Sequence, residues 1–331
     1  MIVNAVRRTL LSAIAFAAVA AGLAPLPALA QGAYPTRSVR LIVPFPPGGV
    51  SDASARMVAE ELGRRLGQQV VVENRPGASG NLAGAFVAQA DPDGYTILLA
   101  YNGLLTINPY VIAKMPFDTV KDLAPVGKIG DYPSLMAVHP SVDVKTVQDV
   151  VALSKSRPNG LDFGTSGPGS NEHLLATLLV QRTGANLTHV PYKGAGPVLV
   201  DAIAGHIPIA ITSVAGGAQH VKAGKLKAIA VSSAERSPSL PDVPTFIESG
   251  IPDFVVMSWI GLIAPGKTPK PVVARLNADL NAALASPELR EKLAGLGIRV
   301  TPGTPEAFHE EIKRELERNG PVVKAAGLKA E

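Results

Sequence analysis

The chain has 331 residues, 47% hydrophobic and 5% aromatic, with a formal charge of +4 and no cysteine. That length gives roughly two domains with a substantial core. The lack of cysteine excludes disulfides, cysteine-ligated metals and a lipid anchor on an N-terminal cysteine, and a small charge without a basic cluster argues against a nucleic-acid partner. Ala, Val, Leu, Ile and Gly dominate, the bias of parallel α/β packing, whose strands are buried on both faces.

Arg7 and Arg8 make a positive start, residues 10–23 are a nearly unbroken apolar run, and Ala28-Leu29-Ala30 supplies a small-x-small cleavage pattern. Residues 1–30 therefore read as an export signal, cleaved before Gln31. An N-terminal membrane anchor is the alternative, but the run is short for a span and a cleavage site follows it. Cleavage leaves 301 residues and a formal charge of +2. No later stretch is long and apolar enough to cross a bilayer, so the expected product is a periplasmic protein.

From Val39 onward strand and helix patterns alternate. Residues 39–45 predict a strand and 51–66 a helix, with Ala55, Val58, Ala59, Leu62 and Leu66 on one face. A strand over 69–73 leads through Asn74-Arg75-Pro76-Gly77-Ala78-Ser79-Gly80 into a helix ending near Ala90. Asp91-Pro92-Asp93-Gly94 is a turn by residue type. A strand over 95–100 leads through Tyr101-Asn102-Gly103 into a short helix over 104–113. This βαβαβα order predicts a parallel sheet with right-handed crossovers.

Residues 124–131 read as a connection leaving the first domain. A second alternation begins at 135–139. It continues with a helix over 146–157, capped by Lys145 or Thr146, a strand over 161–165 and a helix over 172–183. Strands over 187–190, 207–211 and 226–231 follow. The proline-rich stretch 237–252 reads as a long surface loop, and 254–264, holding the only tryptophan, Trp259, as a returning strand. Helices are expected at 269–285, 287–296 and 305–318. The expected fold is two-lobed α/β. Residues 31–130 with 252–331 form one domain and 131–251 the other, joined by a two-crossing hinge near 124–131 and 252–259.

Four glycine-rich loops, at 44–50, 74–80, 165–171 and 191–197, each follow a strand and open a helix. Ligands of open α/β sheets bind beyond the carboxyl ends of the strands, so two loops from each domain are expected to converge on one cleft. In the first loop Pro46 and Pro47 stiffen the turn after Phe45, and Gly48 and Gly49 let a ligand approach the backbone. Ser51 or Asp52 is placed to cap the helix. The free N–H groups and positive dipole end of that helix suit a carboxylate or phosphate; a tight turn with nothing bound is the alternative. Ser166, Gly169 and Ser170 are expected to reach the ligand, with Gly194 beside them; Tyr192 and Lys193 either touch it or are a rim aromatic and a solvated charge. His173 either meets the cleft or packs locally. Trp259 is either core or part of the hinge or cleft wall, and Arg75 either holds a carboxylate or makes a surface salt bridge.

Catalytic signatures do not form. Gly164-Thr165-Ser166-Gly167-Pro168 breaks G-x-S-x-G at its last position. Gly224-Lys225 lacks the rest of a Walker A loop, and Gly167-Pro168-Gly169 lacks the third glycine of a dinucleotide fingerprint. No H-E-x-x-H occurs, and the six histidines are scattered. The chain is expected to be a monomer without metal, cofactor or catalytic residues. The rival is a secreted hydrolase using Ser166 or Ser170, with His173 as the base nearest in sequence.

Several motifs, taken in order, carry a family likeness. They are Pro44-Phe45-Pro46-Pro47-Gly48-Gly49 with Asp52, Glu73-Asn74-Arg75-Pro76-Gly77-Ala78, Asp93-Gly94-Tyr95-Thr96 and Asn108-Pro109. Further on come Lys121-Asp122-Leu123, Gly164-Thr165-Ser166-Gly167, Tyr192-Lys193-Gly194, Gly224-Lys225-Leu226-Lys227 and Leu240-Pro241-Asp242-Val243-Pro244-Thr245. The combination resembles the Bug family, the extracytoplasmic solute receptors of tripartite tricarboxylate transporters, over nearly the whole chain after residue 30. The resemblance implies a type II periplasmic binding-protein fold with parallel or mixed sheets that closes on a small organic acid and hands it to membrane subunits of the transporter. A periplasmic sensor that reports its ligand state is the alternative role. It also implies that the loops at 45–52 and 166–170 grip the ligand carboxylate through backbone N–H groups and water, that Tyr101 and Asn102 face the distal part of the ligand, and that Thr212 and Ser213 border it. The chain departs from many relatives at Ala210-Ile211-Thr212-Ser213, with hydroxyls where they carry an acid or amide. That departure points to a carboxylate ligand without an amine, such as a dicarboxylate or an aromatic acid.

Overall fold

The computed structural model describes residues 34–325; the export signal read over 1–30 lies outside them. Of the unit formed by residues 1–36, only the last three are described, and they form no helix or strand.

From Arg37 the chain builds on a sheet ordered β2-β1-β3-β9-β4-β7-β5-β6, with β8 and β10 also paired to β4. Strands β1 (Val39–Val43), β2 (Val70–Asn74) and β3 (Thr96–Tyr101) are parallel. They alternate with α1 (Val50–Leu66), α2 (Asn81–Ala88) and, after a single π-type turn over Gly103–Ile107, the short α3 (Asn108–Val111). Helix α1 buries Ala55, Val58, Ala59, Leu62 and Leu66 and stops at Gly67, whose φ of +69° suits a residue without Cβ. The second set holds α4 (Val147–Ser156), β5 (Leu161–Thr165), α5 (Asn171–Thr183), β6 (Leu187–Pro191), α6 (Ala195–Ala204), β7 (Ile209–Ser213), α7 (Val214–Lys222) and β8 (Lys227–Val231). Strand β9 (Met257–Pro265) returns to β3. The chain then forms α8 (Lys270–Leu284), α9 (Pro287–Gly295), β10 (Arg299–Val300) and α10 (Pro305–Ala325).

One strand ties the two sets together. The residues expected to form a connection at 124–131 and a separate strand at 135–139 are a single 16-residue strand, β4 (Leu123–Val138). Its first part pairs with β9 from Leu123 to Pro133, and its last part pairs with β7 and β8 from Ser134 or Leu135 to Val138. Pro125, Gly127, Gly130 and Pro133 hide the strand in the sequence. The ladder absorbs them by shifting register between Pro125 and Gly127 and between Lys128 and Gly130.

Other expectations also change. The stretch 237–252 is not only surface, since Leu240, Val243, Phe246 and Ile251 are buried and Thr245 bridges Val231. Helix α10 runs past Arg318 and through Pro321; Gly320 leaves room there for the Tyr110 ring, which a Cβ would meet at 2.8 Å. Trp259 is core rather than cleft wall: it meets Phe308 edge-on at 4.9 Å and donates from Nε1 to Glu315 Oε2 at 3.0 Å. The short β10 was not foreseen. It pairs Val300 with Gly130, so closely that a Cβ on Gly130 would lie 2.4 Å from the Arg299 carbonyl oxygen. Gly130→Ala is expected to cost about 1–3 kcal/mol, the usual range for overpacking, measured by urea denaturation. An unchanged midpoint would contradict this pairing.

Candidate functional site

A cavity of about 490 Å³ opens at the carboxyl ends of the parallel strands, within the usual range of ligand pockets. From the first strand set it is lined by Phe45 to Ser51, Tyr101 and Asn102; from β4 and β9, by Tyr132 and Ser258; from the second set, by Ser166, Ser170, Asn171, Glu172, Lys193 to Pro197, Leu199, Ser213 and Gly216. Three of the four glycine-rich loops reach it. The loop at 74–80 does not. Gly80 is packed against Pro44 and Tyr101, and the Ser79 carbonyl accepts from Tyr101 Oη at 3.0 Å and Asn108 Nδ2 at 2.9 Å. Arg75 pairs with Glu73 at 2.6 Å and lies 3.7 Å over the Phe86 ring, so it is a structural salt bridge.

The helix starts differ in how their backbone donors are satisfied. Thr146, Ser170, Ser213 and Ser286 each cap a helix by accepting from a backbone N–H three residues on. Helices α2, α3 and α8 also lack a side-chain cap but start outside the cavity lining, whereas α1 and α6 begin uncapped at Gly49 and Gly194, which line it. A Cβ at Gly48, Gly49, Gly194 or Gly196 would meet no protein atom within 4 Å. The first N–H groups of a helix have no intrahelical acceptor. Here those of Val50, Ser51, Ala195 and Gly196 belong to residues lining the cavity.

Asp52, expected as a cap or ligand contact, is the anchor of the 45–52 loop and does not line the cavity. It is buried, accepts from the Gly48 backbone N–H at 3.0 Å and from Asn74 Nδ2 at 2.9 Å, and pairs with Arg56 at 3.0 Å. Burial alone would raise its pKa, but the hydrogen bonds from Arg56, Gly48 and Asn74 outweigh burial and hold the carboxyl below its ordinary value. Asn74 also donates to the Phe45 carbonyl at 3.0 Å, which fixes the other end of the loop.

Four further expected contacts lie outside the cavity lining. Gly169 is wedged against Asn108, whose Oδ1 a Cβ would meet at 2.3 Å. Tyr192 donates to Asp201 Oδ2 at 2.7 Å, and burial first, then Asp201, pushes its pKa up to about 12. Thr212 is buried within β7 at 2% exposure. His173 stacks on His189 with ring centroids 3.8 Å apart, behind the 165–171 loop. The His173 backbone, not its ring, meets the Ser170 hydroxyl, so the serine–histidine pair required by a hydrolase does not form. Phe45, Pro47, Gly48, Gly49, Ser51, Tyr101, Asn102, Ser166, Ser170, Gly194 and Ser213 are brought together around the cavity.

Sequence reasoning missed Tyr132, Asn171, Glu172 and Ser258. Tyr132 lay in the unrecognised strand β4, and Ser258 in the returning strand. Glu172 stands just past the 165–171 loop, where helix position gave no sign that it faces a cavity. Its carboxyl accepts from Ser166 Oγ at 3.2 Å, and burial pushes it above the ordinary glutamate value. Of the lining residues only Glu172 and Lys193 are charged types. No group of His, Cys, Asp or Glu among the described residues is arranged to hold a metal.

Residues 54–328 match the family described as the tripartite tricarboxylate transporter family receptor. The protein BugT of Bordetella pertussis is 36% identical over 297 residues, covering 89% of this chain and 91% of that one. A Rhodopseudomonas palustris protein solved with adipate superposes with a TM-score of 0.84 at 36% identity, covering 89% of this chain and 98% of that one. MatC from the same organism, solved with bound malate, gives a TM-score of 0.82 at 32% identity, covering 88% and 100%.

The stacked histidines set an acid limit. Burial lowers the His173 pKa to about 4, and burial with the neighbouring ring lowers His189 to about 3. The unfolded chain protonates both near the ordinary value of about 6.5. Between about pH 6.5 and pH 3–4 the unfolded state therefore binds more protons, and stability falls with pH by at most about 1.4 kcal/mol per unit for each ring. The double variant His173→Gln/His189→Gln should show a shallower loss of stability by urea denaturation over that window. Equal slopes in the two proteins would contradict the assignment.

Proposed function

We propose, from the premise that this chain belongs to the tripartite tricarboxylate transporter receptor family, that it captures a small dicarboxylate or aromatic acid in the cavity between its two strand sets. It is a solute-binding receptor rather than an enzyme. The observation that carries the ligand class is the pair of glycine-started, uncapped helices α1 and α6, one from each set, whose free amides border one cavity. A carboxylate there receives backbone hydrogen bonds and the positive ends of two helix dipoles. Adipate and malate in the two solved relatives are acids of the proposed size and charge.

The proposal extends to motion and location. Residues 31–130 with 252–331 act as one lobe and 131–251 as the other, with β4 and β9 as the two crossings. Contacts such as Ser79 Oγ to the Pro168 carbonyl at 3.2 Å and Asn102 Nδ2 to Asn171 Oδ1 at 2.9 Å would break on opening. The protein works as an exported monomer in the periplasm and delivers its ligand to the membrane subunits of its transporter.

Gly49 provides the test. Its φ of −83° suits any residue, and a Cβ would project into open space. Gly49→Val puts a poorer residue at the helix N-cap and should cost about 1 kcal/mol of stability, leaving the protein folded. It should weaken binding of the best acid in a panel of adipate, malate, succinate and benzoate at least tenfold by titration calorimetry. Undiminished affinity in the variant, or product formation from any panel member, would overturn the reading.

A further inference from the structure

Helix α5 starts at the cavity too, but its N-terminus is already supplied with an anion. The Glu172 carboxyl accepts from the Ser166 hydroxyl at 3.2 Å, with its own backbone N–H and the Ser170 hydroxyl close by. Ser170 Oγ takes the His173 N–H at 3.2 Å. Two of the donors that a ligand carboxylate would use on this loop are therefore spent within the chain, unlike those of α1 and α6.

Among the described residues no Lys, Arg or His forms an ion pair with Glu172. The groups facing it are Tyr101 from β3 and Tyr132 from β4, both of which feel its charge, and Lys193 from the β6–α6 loop lines the same cavity. Ser258 from β9 and Asn102 are neutral, and the His173 ring behind the loop is stacked on His189. Beside Glu172 stand two polar atoms without partners. Asn102 Nδ2 is held by Asn171 Oδ1 at 2.9 Å and the Met257 carbonyl at 3.2 Å, which fixes both amides and leaves Asn102 Oδ1 and Asn171 Nδ2 unbonded at residues 1% and 4% exposed. Buried polar atoms of this kind are costly unless something completes them.

An acid seated on the α1 and α6 amides brings a second carboxylate into a cavity that already holds one. Two carboxylates in a shared, poorly solvated space do not both stay ionised. We propose that Glu172 takes up a proton when an organic acid binds, so that capture of the acid and uptake of one proton are a single event, with the neutral carboxyl donating a hydrogen bond toward the ligand. The inference rests on the carboxylate-receptor reading above. Burial already pushes the Glu172 carboxyl upward, in the direction of that uptake.

The test is titration calorimetry with adipate, malate, succinate and benzoate, in imidazole and in Tris, buffers without an anion that could occupy the site, from pH 6.5 to 8.5. Free ligand acids, with ordinary pKa values of about 4 to 5, are ionised throughout that range. The wild-type protein should take up close to one proton per bound acid at the upper end of the range, with Kd weakening by up to about tenfold per pH unit there. Glu172→Gln keeps the hydrogen-bonding shape without the titrating group; it should bind with no proton uptake and a Kd independent of pH. Zero uptake by the wild type, or the same uptake in the variant, overturns the proposal while leaving the receptor reading intact. The wild-type proton count decides even if the variant fails to fold. Failure of all four acids to bind either protein at any pH would overturn both readings together.

Discussion

The structure depends on two helix starts that no side chain closes. A Ser, Thr or Asp cap is worth about 1 kcal/mol, and the chain uses such caps at Thr146, Ser170, Ser213 and Ser286. At Gly49 and Gly194 it does without them, and these are the two helix starts where a Cβ would face open space bordering the cavity. The unspent donors amount to a binding surface made of backbone, which reads charge and shape rather than side-chain identity. Asp52 makes the first of these surfaces rigid. Its carboxylate is consumed by Gly48, Asn74 and Arg56, so it shapes the loop that presents the amides and leaves them free.

Strands β4 and β9 bring the two surfaces to one place. Strand β4 pairs with β9 along most of its length and with β7 and β8 at its end, so both strand sets share one continuous ladder. The parallel strands of each set then turn their carboxyl ends toward the same space, and the helices that follow start there. Tyr132 on β4 and Ser258 on β9 become cavity wall because the strands that join the sets also form its floor.

Local pattern made much of this legible. The stripe Ala55, Val58, Ala59, Leu62 and Leu66 defines α1, and the glycine-rich loops mark the strand ends, because both signals act over a few residues. What failed was non-local. Pro125 and Pro133 look like chain breaks until β9 is present to absorb the register shifts. Gly169 and Tyr192 carry the right chemistry in the right loops, yet Asn108, distant in sequence, and Asp201, within the helix that follows, claim them. Glu172 was missed for the opposite reason. A glutamate in the first turn of a helix is so ordinary that only the cavity beside it gives it a role.

The account joins an ion-binding backbone to a cavity with little charge of its own, so the position of the ligand's acid group is its central claim. The direct measurement is a crystal structure with adipate or malate bound. The account predicts carboxylate oxygens about 3 Å from the amides of the Gly49–Ser51 and Ala195–Gly196 segments. A ligand whose carboxylates all lie beyond hydrogen-bond reach of both segments would contradict it.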